Sequence, residues 1–281
     1  MVIRAVALFD AFGNEIFYNT YANFTPNFPL INRILLGMKE HFIKEVDSLE
    51  MGQYRISVML TSNFMLSVLA DRVNGADELE KVLRKLMEDA TDIFGDSAPS
   101  QQMSEEKIEK FEAKVEEAIK MIPVKCTLTG YGGVGKTTIV KLVAKGITIS
   151  KHIPTILADV EELAIEGIEP YRVTLFTVAG QPEYWRTWMV TTEGSDFVVL
   201  VTDSSEEDVV RLQKEILPYL MKITPYSRFT LIANKQDLPD RLPASAIEEL
   251  TGFPSYPLVA ISPDAKERFI EILSSMIREL P

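Results

Sequence analysis

Two hydrophobic rhythms divide the chain near residue 122. In the first part, residues 3–9 and 15–20 are β-rich runs flanking 10–14, whose Asp, Gly and Asn tolerate the positive φ of a tight turn, so a hairpin is predicted. Ile31, Leu35, Met38, Phe42 and Val46 recur at helical spacing and predict an amphipathic helix over 28–47. Strands follow at 48–51, 54–60 and 64–70, the last two joined by a polar turn at 61–63. Leu79, Val82, Leu83, Leu86 and Ile93 mark a helix over 77–94 that Gly95 ends. Residues 95–103 carry no apolar period and read as a linker. Ser104 then suits the cap of another helix, with Glu105 and Glu106 where the helix dipole favours them and a stripe of Ile108, Phe111, Val115, Ala118, Ile119 and Ile122.

From residue 123 strands and helices alternate, over 124–130, 139–145, 172–178, 196–203, 208–221, 229–234 and 266–280. That alternation predicts an α/β fold, a mostly parallel sheet with helices on both faces, preceded by a smaller α+β domain. The expected division is a first domain over 1–95, a linker and helix over 96–122, and a second domain over 123–281. Ligands of open parallel sheets lie at the carboxyl ends of the strands, where the motifs below fall.

Composition narrows the function classes. A net charge of −12 with no basic segment argues against nucleic acid as a partner and gives no support to peripheral membrane association, since both need clustered cations. Cys126 is the one cysteine, which excludes an intramolecular disulfide and a Cys-rich metal framework. The opening residues have no signal-peptide core, no apolar run approaches about 18 residues, Val2 stands where myristoylation needs glycine, and no prenylation box closes the sequence. The expected location is the cytoplasm.

Gly130-Tyr-Gly-Gly-Val-Gly-Lys136-Thr137 satisfies GxxxxGK[ST] between a strand and a helix. Gly130, Gly132, Gly133, Val134 and Gly135 give a backbone able to wrap phosphates with its N–H groups, while Thr138 continues into the helix whose positive end faces the same anion. Lys136 is the candidate for the β and γ phosphates and the Thr137 hydroxyl for Mg²⁺. About a hundred residues on, Asn234-Lys235-Gln-Asp237 follows an apolar strand. An Asp carboxylate there can accept two hydrogen bonds from N1 and N2 of guanine, a pair of donors that adenine lacks.

GYGGVGKT, NKQD and HIPTI at 152–156 together resemble a Ras-superfamily small GTPase, and IPTI followed by Asp159-Val-Glu161 is most similar to its Arf-like branch. The resemblance covers 123–281 and implies a GTP/GDP-binding, Mg²⁺-dependent switch with slow GTP hydrolysis. It implies that Thr155 is the switch I threonine, ligating Mg²⁺ and meeting the γ-phosphate, that Gly180 binds that phosphate, and that Gln181 orients the attacking water. The catalytic set is then Gln181, Lys136 and Thr155, the metal set Thr137 and Thr155, and Ser262 stands in the weaker base-contacting loop. One residue departs from the family: Thr177 replaces the usual Asp of the switch II box, which reads TVAGQ. TVxGQ is similar to the polarity GTPases of gliding bacteria and implies weaker metal retention with an active site intact. Trp185, Arg186 and Trp188 follow the box and are expected on a surface that protein regulators or effectors cover, with core packing the alternative for the two tryptophans and a charge-stabilising role in cis the alternative for Arg186.

AVALFDAFGNEIFYNT, SLEMGQYRISVML and FMLSVLAD, in the order strand, strand, helix, three strands, two helices, resemble a longin domain. That resemblance implies a noncatalytic module for regulation, dimerisation or partner binding, acting in cis or in a dimer. Two functions follow: a GTP-driven switch with an N-terminal longin domain, or a constitutively nucleotide-bound scaffold with negligible hydrolysis, which Thr177 keeps open.

Overall fold

The computed structural model describes residues 1–37, 45–73, 76–95, 104–144, 152–155, 158–161, 168–177, 188 and 191–279. The chain divides into two compact units, Met1–Ile122 with Ile277–Pro281, and Pro123–Met276.

The first unit contains β1 (Ile3–Asp10), β2 (Glu15–Thr20), α1 (Phe28–Gly37), β3 (Val46–Met51), β4 (Tyr54–Leu60), β5 (Phe64–Asp71), α2 (Ala76–Phe94) and α3 (Glu105–Met121). Its strands form one antiparallel sheet in the order β2-β1-β5-β4-β3. The hairpin turns on Asp10, whose Oδ1 accepts from the N–H groups of Phe12 at 2.9 Å and Asn14 at 2.8 Å, and on Gly13 with φ +87°. Every residue of β1 and β5 is buried, which requires cover on both faces. Phe28 and Leu35 of α1 pack with Ala5, Ala7, Phe9, Tyr54, Ile56, Val58, Met65 and Leu69 on one face. α2 packs on β4 and β5, and α3 on α2. There Phe111 meets Phe17 edge-on at 5.2 Å and Phe94 at 5.6 Å.

Two local expectations need correction. The first helix does not reach 47: Val46 and Asp47 pair with Met59 and Val58, because the open edge of β4 offers a ladder that outweighs a marginal helical period. Residues 38–44 lie outside the described residues. Ser104 is the N-cap of α3 by position, but its hydroxyl makes no capping bond; its carbonyl accepts from Lys107 and Ile108.

The second unit contains β6 (Val124–Thr129), α4 (Lys136–Ala144), β7 (His152–Thr155), β8 (Ala158–Glu161), β9 (Val173–Thr177), β10 (Phe197–Thr202), β11 (Arg228–Ala233), α6 (Ala244–Thr251), β12 (Ser255–Pro257) and most of α7 (Ala265–Glu279), whose last turn from Ile277 is counted with the first unit. Between β10 and β11, α5 runs as an α segment Glu206–Arg211, a π segment Leu212–Ile216 and a second α segment Leu217–Ile223. Pro218 sits at the start of that last segment with no N–H to return to the preceding turn, a local cause for the widened ladder. The sheet runs β12-β11-β10-β6-β9, parallel throughout, with helices flanking it. β6 lies between β9 and β10, so the strand order reverses at its carboxyl end, the position where such sheets open a crevice. β7 and β8 pair separately as an antiparallel hairpin.

Candidate functional site

At the reversal point β6 gives way to the glycine loop. Gly130 has φ +138°, and a Cβ there would stand 2.2 Å from the Val201 carbonyl oxygen of β10. Gly135 has φ +110°, and its Cβ would stand 2.2 Å from Asn234 Nδ2. Both positions need glycine for backbone conformation and for close approach. Within the loop the Lys136 ammonium donates to the carbonyls of Gly130 at 2.8 Å and Tyr131 at 2.7 Å. Burial pushes this group down to about 8, against the opposing charge of Asp208. Because α4 starts at Lys136, the N–H groups of its first turn precede the helical ladder and are available to an anion. Gly132, Gly133, Thr137 and Thr138 are exposed, Gly135 is half-buried and Val134 is buried.

The second motif is joined to the first by a side chain. Asn234, following β11, donates from Nδ2 to the Val134 carbonyl at 2.8 Å and accepts at Oδ1 from Ala260 N–H at 3.0 Å. The same amide thus ties together the phosphate-type loop, the strand end and the loop carrying Ser262. Ser204, in left-handed backbone at φ 63°, donates to the Asn234 carbonyl at 2.7 Å and accepts from Gln236 Nε2 at 2.8 Å. Lys235 is also left-handed at φ 61°, with Nζ 3.7 Å from Asp203 Oδ2. Burial alone would raise the Asp203 carboxyl, but hydrogen bonds from Ser205 and the charges of Arg241 and Lys235 outweigh it and hold the group below its ordinary value. Asp237 is exposed, and its carboxylate has no hydrogen bond or ion pair among the described residues. The Ser262 hydroxyl is taken by Asp264, and the backbone N–H of Ser262 by Val259.

The remaining expected site residues are distributed differently. Thr155 ends β7 and pairs with Ala158. Thr177 ends β9, buried and opposite Leu128 of β6, two residues before Gly130. Gly180, Gln181, Trp185 and Arg186 lie outside the described residues. Trp188 corrects the surface expectation in favour of core packing: it is 4% exposed and meets the Tyr131 ring edge-on at 6.4 Å. Ser204, Asp203 and the Tyr131 side chain were not foreseen as parts of the site. The run of polar residues after the apolar β10 was the one available signal for the first two.

For Mg²⁺ the chemistry of the donors fits. The Thr137 hydroxyl is an exposed hard oxygen with no hydrogen bond among the described residues, as suits a cation held by one protein group together with phosphate oxygens. Groups of three His, Cys, Asp or Glu residues able to form an all-protein cage are absent among the described residues.

A cationic lysine ringed by carbonyls, a free helix start and a separate carboxylate on a rigid loop can hold a polyphosphate at one end and a base edge at the other. The sequence pattern of the ADP-ribosylation factor family matches residues 108–278, a span that includes both loops. Members are Ras-superfamily small GTPases, switches that bind guanine nucleotide and hydrolyse GTP. With more than half of its length in that match, the chain belongs to the ADP-ribosylation factor family.

Proposed function

We propose that this chain is a GTP-driven switch in which the loop 130–137 holds the phosphates and Asp237 selects guanine. The observation that carries the reading is the Asn234 amide on the Val134 carbonyl, 2.8 Å, which joins the two recognition loops into one frame. Lys136 neutralises the β and γ phosphates, and the N–H groups of 130–138 surround them. Thr137 and Thr155 would hold Mg²⁺, which when bound offsets charge on the phosphate oxygens. Gly180 meets the γ-phosphate and Gln181 orients the attacking water, while Lys235 and Asn234 support the base site and Ser262 borders it. Intrinsic turnover is slow, on the order of 10⁻⁴ to 10⁻² s⁻¹. Hydrolysis releases Thr155 and Gly180 together, and a regulator or effector reads the difference. The working compartment in this reading is the cytoplasm.

The first unit acts as a longin domain for regulation, dimerisation or partner binding. Supporting this are the antiparallel order β2-β1-β5-β4-β3, α1 on one face, and α2 with α3 on the other. Thr177 keeps open a second reading, a constitutively nucleotide-bound scaffold with negligible hydrolysis, because a neutral hydroxyl stands where the acid that would help hold the catalytic Mg²⁺ is usual.

Affinities for GTP and ATP, measured with Asp237→Ala alongside, test the assignment. The wild type should prefer GTP strongly and the variant should lose that preference while still binding polyphosphate. Equal wild-type affinities would overturn it. Gln181→Leu should release phosphate more slowly than wild type, and a wild type with no turnover at all would select the scaffold.

A further inference from the structure

The Tyr131 side chain ties the glycine loop to elements outside it through three contacts. Its phenol O–H donates to Glu215 Oε2 at 2.6 Å. The Arg211 guanidinium lies over its ring, 4.1 Å from the centroid, and is itself 3.6 Å from Glu215, closing a triangle. Trp188 meets the ring from another side. Arg211 ends the first α segment of α5 and Glu215 lies in its π segment, so the widened turn carries one corner of the triangle. Burial and the Glu215 carboxylate both push the phenol upward, which keeps it a donor.

Four of the first six loop residues are glycines, the most mobile backbone available, so the loop's shape depends on what holds it from outside. Asn234 holds one shoulder, at the Val134 carbonyl. The other shoulder is Gly130 and Tyr131, whose carbonyls hold the Lys136 ammonium. We propose that Tyr131 is a positioning residue for phosphate binding: its phenol, clamped by Glu215 and Arg211 of α5, fixes the peptide on which Lys136 is anchored. The proposal rests on the reading of 130–137 as the phosphate loop. It predicts a selective defect, because the clamp touches the lysine's anchor and leaves the base loop alone.

GDP and GMP affinities of the full chain decide the matter, since both carry the base and one phosphate but only GDP carries the second phosphate that Lys136 meets. Tyr131→Phe keeps the ring and loses the charge-assisted hydrogen bond, so GDP should weaken about tenfold while GMP changes by no more than about twofold. Glu215→Gln should reproduce that pattern, and the double variant should be no worse than either single one. If the ring merely fills space, Tyr131→Leu will be defective and Tyr131→Phe will bind as wild type, which overturns the proposal. Equal weakening of GDP and GMP, or additive single defects, would also overturn it. Should Tyr131→Phe not fold, Glu215→Gln carries the same expectation by itself. A wild type that binds GMP as tightly as GDP would instead sink the phosphate-loop reading, whatever the behaviour of Tyr131.

Discussion

Lys136 is where burial and function oppose each other at the scale of one residue. Its ammonium is taken out of water, which lowers its pKa to about 8, while a polyphosphate next to it favours the charged form. The nucleotide-bound lysine therefore titrates above the free one, and between those two values binding must take up a proton. Affinity for GDP should be level between about pH 7 and 8, where the terminal phosphate is largely ionised, and fall by up to about tenfold per pH unit above that, the slope being one proton. Calorimetry in buffers of different ionisation enthalpy should show little uptake at about pH 7 and a rise towards about pH 9; a profile flat across that range would mean that the lysine's proton does not govern binding. Asp237 presents the opposite case: it lies exposed, so the guanine preference proposed for it would depend on where its loop places it.

Among the elements, the pairing of β1 with β5 contains a bulge between Ile3 and Ala5, and Arg4 occupies it. The guanidinium binds both oxygens of Asp71, at 2.9 and 3.2 Å, and the Asn23 carbonyl at 2.6 Å, with both charged side chains fully buried. Removing the carboxylate takes away the acceptor that the buried guanidinium meets with two nitrogens, so Asp71→Ala should cost about 3–5 kcal/mol in urea unfolding. A loss under about 1 kcal/mol would show that water reaches the arginine. Neither residue is marked in the sequence as a pair, since 67 positions separate them and only the sheet brings them together. Local signals were read more readily: the Asp10 turn, the glycine loop, and the continuous apolar runs of β10 and β11 are each specified by neighbours. The helix over 28–47 was overextended because Val46 fits a helical stripe and a strand equally well, and the choice belongs to β4. α6 and β12 were missed as short elements with weak period, although Pro243 and the left-handed Gly252 bracket the helix. In the site, the motif residues were legible as a string, whereas the double role of the Asn234 amide depends on two loops, 100 and 26 residues distant, that only the fold assembles.

For the whole molecule, the question is whether a nucleotide in the second unit changes the first. The apolar stripe of α3 offers no argument for docking on the switches, because Phe111, Val115, Ala118 and Ile119 are buried and α3 packs on α2 of its own unit. What remains is chain connectivity: α3 ends at Met121 and β6 starts at Val124, so the units follow each other with almost no intervening chain. A tether that short sets an effective concentration of about millimolar or above, at which even a weak preference of the first unit for one nucleotide state would be populated. By linkage, any such preference must also alter nucleotide affinity by the same factor. We therefore expect amide hydrogen exchange in residues 1–122 of the full chain to differ between the GDP-loaded protein and the protein loaded with a non-hydrolysable GTP analogue. The change should be distributed over elements of the first unit and should persist when the protein is diluted if the contact is within one chain; a signal that fades on dilution would assign it to a dimer. Identical exchange in both nucleotide states at every concentration would mean that the two units share a chain without sharing a switch.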